Sequence, residues 1–116
     1  MKVRIYHNPR CSKSRQTLEL LNARGIDVDI IEYLSAPPDA DTLLNIAGQL
    51  GLSLRELIRA GETEYQDARD KIETMDDAEL AKWMVANPKV IQRPIVVSAK
   101  GARIGRPPEA VLEVLD

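Results

Sequence analysis

The amino-acid sequence predicts an α/β fold: a mixed β-sheet flanked by helices, with a helical insertion after the second strand. Three observations predict this fold. The first part of the chain runs strand, helix, strand within about thirty residues, which is typical of a parallel βαβ unit. The middle of the chain carries mainly helical patterns, and the last part carries two short strands and a final helix. We expect one domain over residues 1–116, with the insertion at about 39–87.

The βαβ unit is predicted from apolar periodicity and from residues that stop helices. Residues 2–6 alternate polar and apolar side chains, as a half-buried strand does, and residues 28–33 are predicted to form a second strand. A helix is expected between them over about 12–24, where Gly25 provides a natural end. The loop between the first strand and this helix contains the only cysteine of the chain, Cys11.

The insertion is predicted from its capping residues. Asp39 or Asp41 begins a helix that ends at Gly51, and Ser53 with Glu56 has the spacing of a capping box for a short helix. A second capping box, at residues 76 and 79, begins a helix that a proline closes at position 88. Residues 62–73 are polar and show no clear period, so their structure is not predicted.

The last part of the sequence is predicted to form a hairpin followed by a helix. Residues 93–97 and 102–104 are two β-runs joined by a turn at Lys100 and Gly101. Pro107 or Pro108 suits the first turn of a last helix, with apolar side chains directed inwards. These elements complete the mixed sheet of the predicted fold.

Composition excludes several classes of function. With one cysteine the chain has no internal disulfide, so we expect a reducing, cytoplasmic setting. No apolar run approaches the length of a membrane span, and we expect no membrane partner. The formal net charge of −2 and the scarcity of aromatic residues argue against a nucleic-acid partner. A monomer is expected.

The charges are segregated along the chain. Fifteen of the 18 acidic residues lie from Glu19 to Glu79, whereas the segments before Glu19 and between Glu79 and Glu109 contain basic residues and no acid. If the fold brings these two basic segments together, they form an anion-binding site in an acidic protein. The alternative is that strand-rich ends simply carry few acidic residues.

Cys11 is the strongest candidate for chemistry. It follows a strand and precedes a helix, where free backbone N–H groups stabilise a thiolate and an incoming oxyanion. Basic residues surround it at positions 10, 13 and 15, and His7 is a candidate for tuning the thiol. The alternatives are a buried structural cysteine and an ordinary strand-end histidine. One Cys and one His do not fill the four positions of a zinc site, so no metal is expected.

The position that would complete a Cys-x-x-Cys pair is Ser14. A serine can hydrogen-bond a thiolate but cannot resolve a disulfide, so a redox cycle on Cys11 requires an outside thiol. Arg59, Arg93 and Arg106 are candidate oxyanion ligands, because a guanidinium binds tetrahedral oxyanions with two N–H groups. Arg93 and Arg106 each precede a proline, which restricts their backbone. Taken singly, each arginine is also compatible with a solvated surface position.

Four motifs in order resemble the ArsC family of glutaredoxin- and glutathione-dependent arsenate reductases. They are Tyr-His-Asn-Pro-Arg-Cys-Ser-Lys-Ser-Arg at 6–15, Leu-Ile-Arg at 57–59, Ile-Gln-Arg-Pro-Ile-Val-Val at 91–97 and Gly-Arg-Pro-Pro-Glu at 105–109. The resemblance implies a thioredoxin/glutaredoxin-like fold and a cis peptide bond before Pro94. It also implies that arsenate forms a covalent adduct with the thiol and is reduced to arsenite by glutathione and glutaredoxin, with no bound cofactor.

The resemblance assigns a role to each candidate residue. It makes Cys11 the nucleophile, it makes Arg59, Arg93 and Arg106 the oxyanion ligands, and it places His7 and Ser14 near the thiolate. After the cysteine, family enzymes from arsenic-resistance operons usually carry Gly-Thr-Ser-Arg, whereas Ser-Lys-Ser-Arg at 12–15 resembles the chromosomal branch of the family. Two alternatives stay open: a glutathione-linked thiol oxidoreductase with another substrate, and an RNA polymerase-binding regulator similar to the Spx proteins, which usually carry a Cys-x-x-Cys switch.

Overall fold

The computed structural model describes residues 2–115, and the chain divides into two compact units. The first unit combines the described residues up to Ala36 with those from Arg93 onwards. The second unit is the segment Pro37–Gln92. No helix within residues 2–115 is long and apolar enough to cross a membrane.

The first unit contains a four-stranded mixed sheet in the order β2-β1-β3-β4. Its strands are β1 (Val3–His7), β2 (Val28–Glu32), β3 (Ile95–Ser98) and β4 (Gly101–Ile104). Strands β1 and β2 are parallel, with Ile5 opposite Ile30 and His7 opposite Glu32. Strand β3 is antiparallel to both β1 and β4. The predicted βαβ unit, hairpin and mixed sheet are therefore confirmed.

Helix α1 (Ser12–Ala23) and a C-terminal 3₁₀ segment (Pro108–Val114) pack together on one face of this sheet. The buried core between them consists of Val3, Ile5, Leu21, Val96, Val111, Val114 and Leu115. The predicted last helix is present, but it winds as a 3₁₀ helix and not as an α-helix. Its three-residue period directs Pro108, Val111 and Val114 to the same side, and all three are buried.

The second unit is helical. Its elements are α2 (Ala40–Leu50), a 3₁₀ segment (Leu54–Leu57), α3 (Thr63–Glu73), α4 (Asp77–Ala86) and a second 3₁₀ segment (Pro88–Val90). The predicted caps form: Asp39 accepts a hydrogen bond from the Thr42 N–H, and Gly51 adopts the left-handed conformation at φ 72° after α2. Both predicted capping boxes are present, at residues 53 with 56 and at residues 76 with 79.

Helix α3 lies in the stretch for which the sequence shows no clear pattern. Ile72 is the one buried residue of this helix, so no repeated apolar spacing marks it in the sequence. After the first 3₁₀ segment the chain pairs with residues 90–92. Ile58 forms an isolated antiparallel bridge with Ile91, and the Gln92 N–H donates to the Leu57 carbonyl at 2.8 Å.

Candidate active site

Cys11 is the N-cap residue of α1, immediately before its first turn. The Cys11 N–H donates to the Asn8 carbonyl at 3.0 Å, and the Cys11 carbonyl accepts from the Arg15 N–H at 3.0 Å. The thiol is partly exposed, and the first turn of α1 contains no acidic residue. A thiolate here faces the positive end of the helix with no carboxylate of that turn to oppose it.

The Arg106 guanidinium lies against the Cys11 sulfur. Its Nη2 donates to Cys11 Sγ at 3.7 Å, although the two residues are 95 positions apart in the sequence. Its Nε donates to the backbone carbonyl of Arg93 at 2.7 Å. The fold therefore brings the two basic ends of the chain together beside the thiol, and Arg106 is fixed at two points.

Arg93 contributes a donor without a partner. Its Nε is buried and makes no hydrogen bond to any residue within 2–115. A buried, unsatisfied guanidinium N–H is costly unless a ligand or water accepts from it. The backbone carbonyl of Arg93 holds Arg106, which in turn reaches the thiol. A guanidinium N–H group suits the oxygens of a small anion.

Two cis peptide bonds precede prolines at this site, Arg93–Pro94 and Arg106–Pro107. The first confirms the expectation drawn from the resemblance. The Pro94 carbonyl accepts from the Gly105 N–H at 2.9 Å, so the two arginine-proline segments are also joined by their backbones.

Gly105 is required by a close approach to its neighbours. A Cβ at this position would lie 2.5 Å from Thr17 Oγ1 and 2.8 Å from Pro94 Cγ, too near for any real side-chain carbon. The segment before Arg106 therefore packs directly on α1 and on Pro94. The sequence marked Gly105 as part of a motif, but nothing in its spacing indicated this contact.

His7 and Ser14 form a buried pair beneath the loop that carries Cys11. Ser14 Oγ lies 2.6 Å from His7 Nδ1 and accepts a hydrogen bond from the Asn8 N–H at 3.0 Å. The Ser14 hydroxyl has one proton to donate and two lone pairs that accept, so it bridges the Asn8 N–H and His7 Nδ1 with either tautomer of the imidazole. Within residues 2–115, no hydrogen bond joins Ser14 Oγ to Cys11 Sγ.

The environment keeps His7 neutral. Burial, the largest cause, lowers the pKa of His7 from its ordinary value of 6.5; the negative charge of Glu32 opposes this shift, and the positive charge of Arg15 adds to it. A neutral His7 contacts the loop through its hydrogen bond to Ser14 and adds no positive charge.

The three basic residues that flank Cys11 in sequence have different positions. Arg10 and Lys13 are exposed. Arg15 Nη1 donates to the Pro9 carbonyl at 2.9 Å and so holds the cysteine loop against the first turn of α1. The sequence shows a positive charge at position 15, but the hydrogen bond from Arg15 to the Pro9 carbonyl is known only from the structure.

Arg59 lies in the second unit, after the first 3₁₀ segment. Its N–H donates to the Val90 carbonyl, and its Nη1 donates to Glu62 Oε1 at 2.6 Å. The acidic residue three positions after an arginine was the sequence signal for this pair, and our sequence analysis missed it. No group of three or more His, Cys, Asp or Glu side chains within residues 2–115 is arranged to hold a metal ion.

Known proteins and a family model match this chain along nearly its whole length. The ArsC family model matches residues 6–114. The chain is 48% identical over 115 residues to uncharacterized protein YfgD of Escherichia coli K12, covering 98% of this chain and 97% of that protein. It is 42% identical over 116 residues to an arsenate reductase of Haemophilus influenzae, covering 99% of this chain and all of the relative.

The solved structures agree with the fold. The arsenate reductase from Vibrio cholerae superposes with a TM-score of 0.93 at 46% identity, and the match covers 99% of this chain and 98% of that one. The thioredoxin-like arrangement expected from the sequence is therefore confirmed.

Proposed function

The chain belongs to the ArsC family, and we propose that it is an arsenate reductase whose nucleophile is Cys11. The observation that carries this proposal is the contact between Arg106 Nη2 and Cys11 Sγ at 3.7 Å. A guanidinium beside a thiolate at a helix N-terminus neutralises a dianion that the sulfur must approach. Without a fixed cation, like charges would keep the two reactants apart.

In the first step, the Cys11 thiolate attacks arsenic. An Sγ–As bond forms and one As–O bond breaks, and the departing oxygen leaves as water after it takes a proton from solvent. The arsenic remains pentavalent and is held on the enzyme as a thiol-arsenate adduct. Backbone N–H groups of the first turn of α1 and the Arg106 guanidinium are placed to stabilise the negative charge on the arsenate oxygens.

In this proposal, different arginines bind different oxygens of the arsenate. The buried Arg93 Nε, which has no partner within residues 2–115, donates to one arsenate oxygen. Arg106, held by the Arg93 carbonyl, donates to a second oxygen and to the sulfur. We assign Arg59 as the third ligand on the ground of family resemblance, since its motif matches the one that carries this role.

Reduction requires two electrons from outside thiols, because the chain has a single cysteine. Glutathione adds to the adduct through its sulfur and displaces a second oxygen as water. A glutaredoxin thiolate then attacks the glutathione sulfur, an S–S bond forms, and the electron pair of the broken As–S bond reduces arsenic to the trivalent state. Water finally displaces Cys11, which releases arsenite. Such thiol donors are supplied by the reducing cytoplasm, where we place the protein.

His7 and Ser14 have a supporting role in this scheme. The Ser14 hydroxyl joins the end of β1 to the first turn of α1 through His7 and the Asn8 N–H. We propose that this pair fixes the loop 8–11, and with it the direction of the Cys11 sulfur. A neutral His7 adds no charge, so its effect on the thiolate is one of position.

A coupled assay tests the proposal. Purified protein is mixed with arsenate, glutathione, glutaredoxin, glutathione reductase and NADPH, and NADPH oxidation is followed. We expect oxidation that requires arsenate and that Cys11→Ser abolishes, because a serine hydroxyl is not ionised at neutral pH. Oxidation that needs Cys11 but not arsenate would instead favour a glutathione-linked thiol oxidoreductase with another substrate.

A further inference from the structure

Asn8 holds the turn before Cys11 through three of its polar groups. Its side-chain Oδ1 accepts from the Arg10 N–H at 3.0 Å, its backbone carbonyl accepts from the Cys11 N–H at 3.0 Å, and its own N–H donates to Ser14 Oγ at 3.0 Å. The residue is 8% exposed, so water competes little for these hydrogen bonds. One residue therefore joins the end of β1 to the turn, to the cysteine and to α1.

These hydrogen bonds occupy every backbone N–H group of the loop 8–11. Pro9 has none, and the N–H groups of residues 8, 10 and 11 each donate to an acceptor within the protein. By contrast, the N–H groups of residues 12–14, in the first turn of α1, make no hydrogen bond within residues 2–115. The loop therefore offers no backbone donor to an anion, and the free donors that follow Cys11 in the chain belong to α1.

A carboxylate at position 8 would satisfy the same hydrogen bonds as the amide. Asn and Asp side chains both accept from the N–H two residues further on, and both are common in turns of this kind. The turn alone therefore does not explain why position 8 carries a neutral amide. The amide and the carboxylate differ in charge, and the same turn ends at the Cys11 sulfur, which the Arg106 guanidinium contacts. A negative charge at position 8 would repel an anion that approaches this sulfur.

We infer that Asn8 is a positioning residue of the proposed active site: its uncharged side-chain oxygen holds the turn that directs Cys11 and adds no negative charge to the approach of an anion. This inference rests on the proposed function, in which the sulfur attacks an oxyanion. Asn8 acts through the N–H groups of Arg10 and Cys11 and does not itself bind the anion.

Two alkylating reagents measure the effect of charge at the sulfur without arsenate. Iodoacetate is an anion and iodoacetamide is neutral, and both react with the thiolate and release iodide. The ratio of their rates on Cys11 therefore does not depend on the fraction of the thiol that is ionised. We expect Asn8→Asp to lower the ratio of the iodoacetate rate to the iodoacetamide rate by about threefold or more, because like charges a few ångströms apart repel to that extent near a protein surface. The loss should shrink as salt is added, since ions screen the charge.

Asn22→Asp is the matched control. It adds the same charge at an exposed position in the last turn of α1, at the end of the helix far from Cys11. Its ratio of rates should stay close to that of the unmodified protein. An unchanged ratio in Asn8→Asp, or an equal fall in both variants, would overturn the inference. Asn8→Asp should also keep the urea unfolding midpoint of the unmodified protein, and a large drop would overturn the inference because the amide would then serve the fold.

The coupled assay tests the role of the turn. Asn8→Ala removes the acceptor of the Arg10 N–H, and we expect kcat/KM for arsenate to fall by about two- to tenfold, the effect of one hydrogen bond. Asn8→Ser keeps a neutral oxygen that can accept from the same N–H, so it should restore most of this loss. Full kcat/KM in Asn8→Ala would overturn the positioning role, and so would a folded Asn8→Ser variant that is as slow as Asn8→Ala.

The two measurements distinguish failure of this inference from failure of the proposed function. If the unmodified protein shows no arsenate-dependent NADPH oxidation, the proposed function fails, whereas the ratio of alkylation rates still tests the effect of charge at position 8. If arsenate is reduced but Asn8→Asp leaves that ratio unchanged, the inference is contradicted and the proposed arsenate site stands.

Discussion

Arg106 is hydrogen-bonded through its Nε to the backbone carbonyl of Arg93 at 2.7 Å, and the same guanidinium reaches Cys11 Sγ through Nη2. Arg106 is exposed, and an exposed arginine would normally sample many rotamers. The Arg93 carbonyl restricts that freedom and aims the rest of the guanidinium at the sulfur. In the proposed mechanism, the two arginines therefore act as one donor group whose geometry is set before arsenate arrives.

Arg106→Lys should separate charge from geometry. A lysine ammonium keeps the positive charge, but its single nitrogen cannot hold the Arg93 carbonyl and present a fork to the oxyanion together. We expect arsenate turnover to fall by about tenfold or more, which corresponds to about 1.4 kcal/mol of lost transition-state stabilisation. The coupled assay measures the change.

The matched control is Arg103→Lys in β4, where the arginine pairs with Glu113 at 2.7 Å on an exposed surface. Its turnover should stay close to that of the unmodified protein. Equal losses in the two variants would mean that any arginine-to-lysine replacement in this part of the protein lowers turnover, which contradicts the specific donor geometry assigned to Arg106.

The His7–Ser14 pair predicts a pH dependence of stability. Since the folded protein holds the pKa of His7 below its ordinary value of 6.5, the unfolded chain binds more protons between the two pKa values. The contribution of His7 to the free energy of unfolding is then complete above pH 6.5 and is lost as pH falls through that value towards the lower folded pKa. Urea unfolding at about pH 7.5 and about pH 5.5 measures it.

His7→Asn is the comparison for this prediction, because a side-chain amide can donate to or accept from Ser14 Oγ and does not titrate. The variant should lose less stability than the unmodified protein between the two pH values. An identical loss in both proteins would exclude His7 as the source of the pH dependence.

Ser14→Ala should be destabilising and should lower activity less than Cys11→Ser does. The substitution leaves the buried Asn8 N–H and His7 Nδ1 without their common partner, and a buried unsatisfied group costs about 1–3 kcal/mol. Chemical denaturation measures the stability, and the coupled assay measures the turnover. Activity as low as that of Cys11→Ser in a folded protein would give Ser14 a direct part in the chemistry, which the geometry does not support.

The sequence predicted those parts of the fold that local rules determine. Gly51 and the Ser53–Glu56 capping box mark helix ends through their own backbone chemistry, and both were found where expected. Helix α3 was not predicted because Ile72 is the one residue that it buries. Its sequence therefore lacks the repeated apolar spacing by which a helix is recognised. The last segment was predicted as a helix, but its 3₁₀ winding was not, because apolar spacing alone does not distinguish a short α-helix from a 3₁₀ helix.

The candidate site was predictable in its residues but not in its contacts. Cys11 stood out because a lone cysteine lay in a polar loop before a helix, and Arg93 and Arg106 stood out because each precedes a proline. The bond from Arg106 to the Arg93 carbonyl and the neutral state of His7 depend on contacts between distant segments. Local sequence carries no signal for such contacts.

The measurement that tests the central claim most directly compares two rates in Arg93→Lys: arsenate-dependent NADPH oxidation and alkylation of Cys11 by a neutral reagent. The claim is that the thiol is joined to a preformed oxyanion site, to which Arg93 contributes a buried N–H without a partner within residues 2–115. We predict that arsenate turnover falls by about tenfold or more while the alkylation rate is unchanged, because only the anion needs the guanidinium. Unchanged arsenate turnover in this variant would contradict the account.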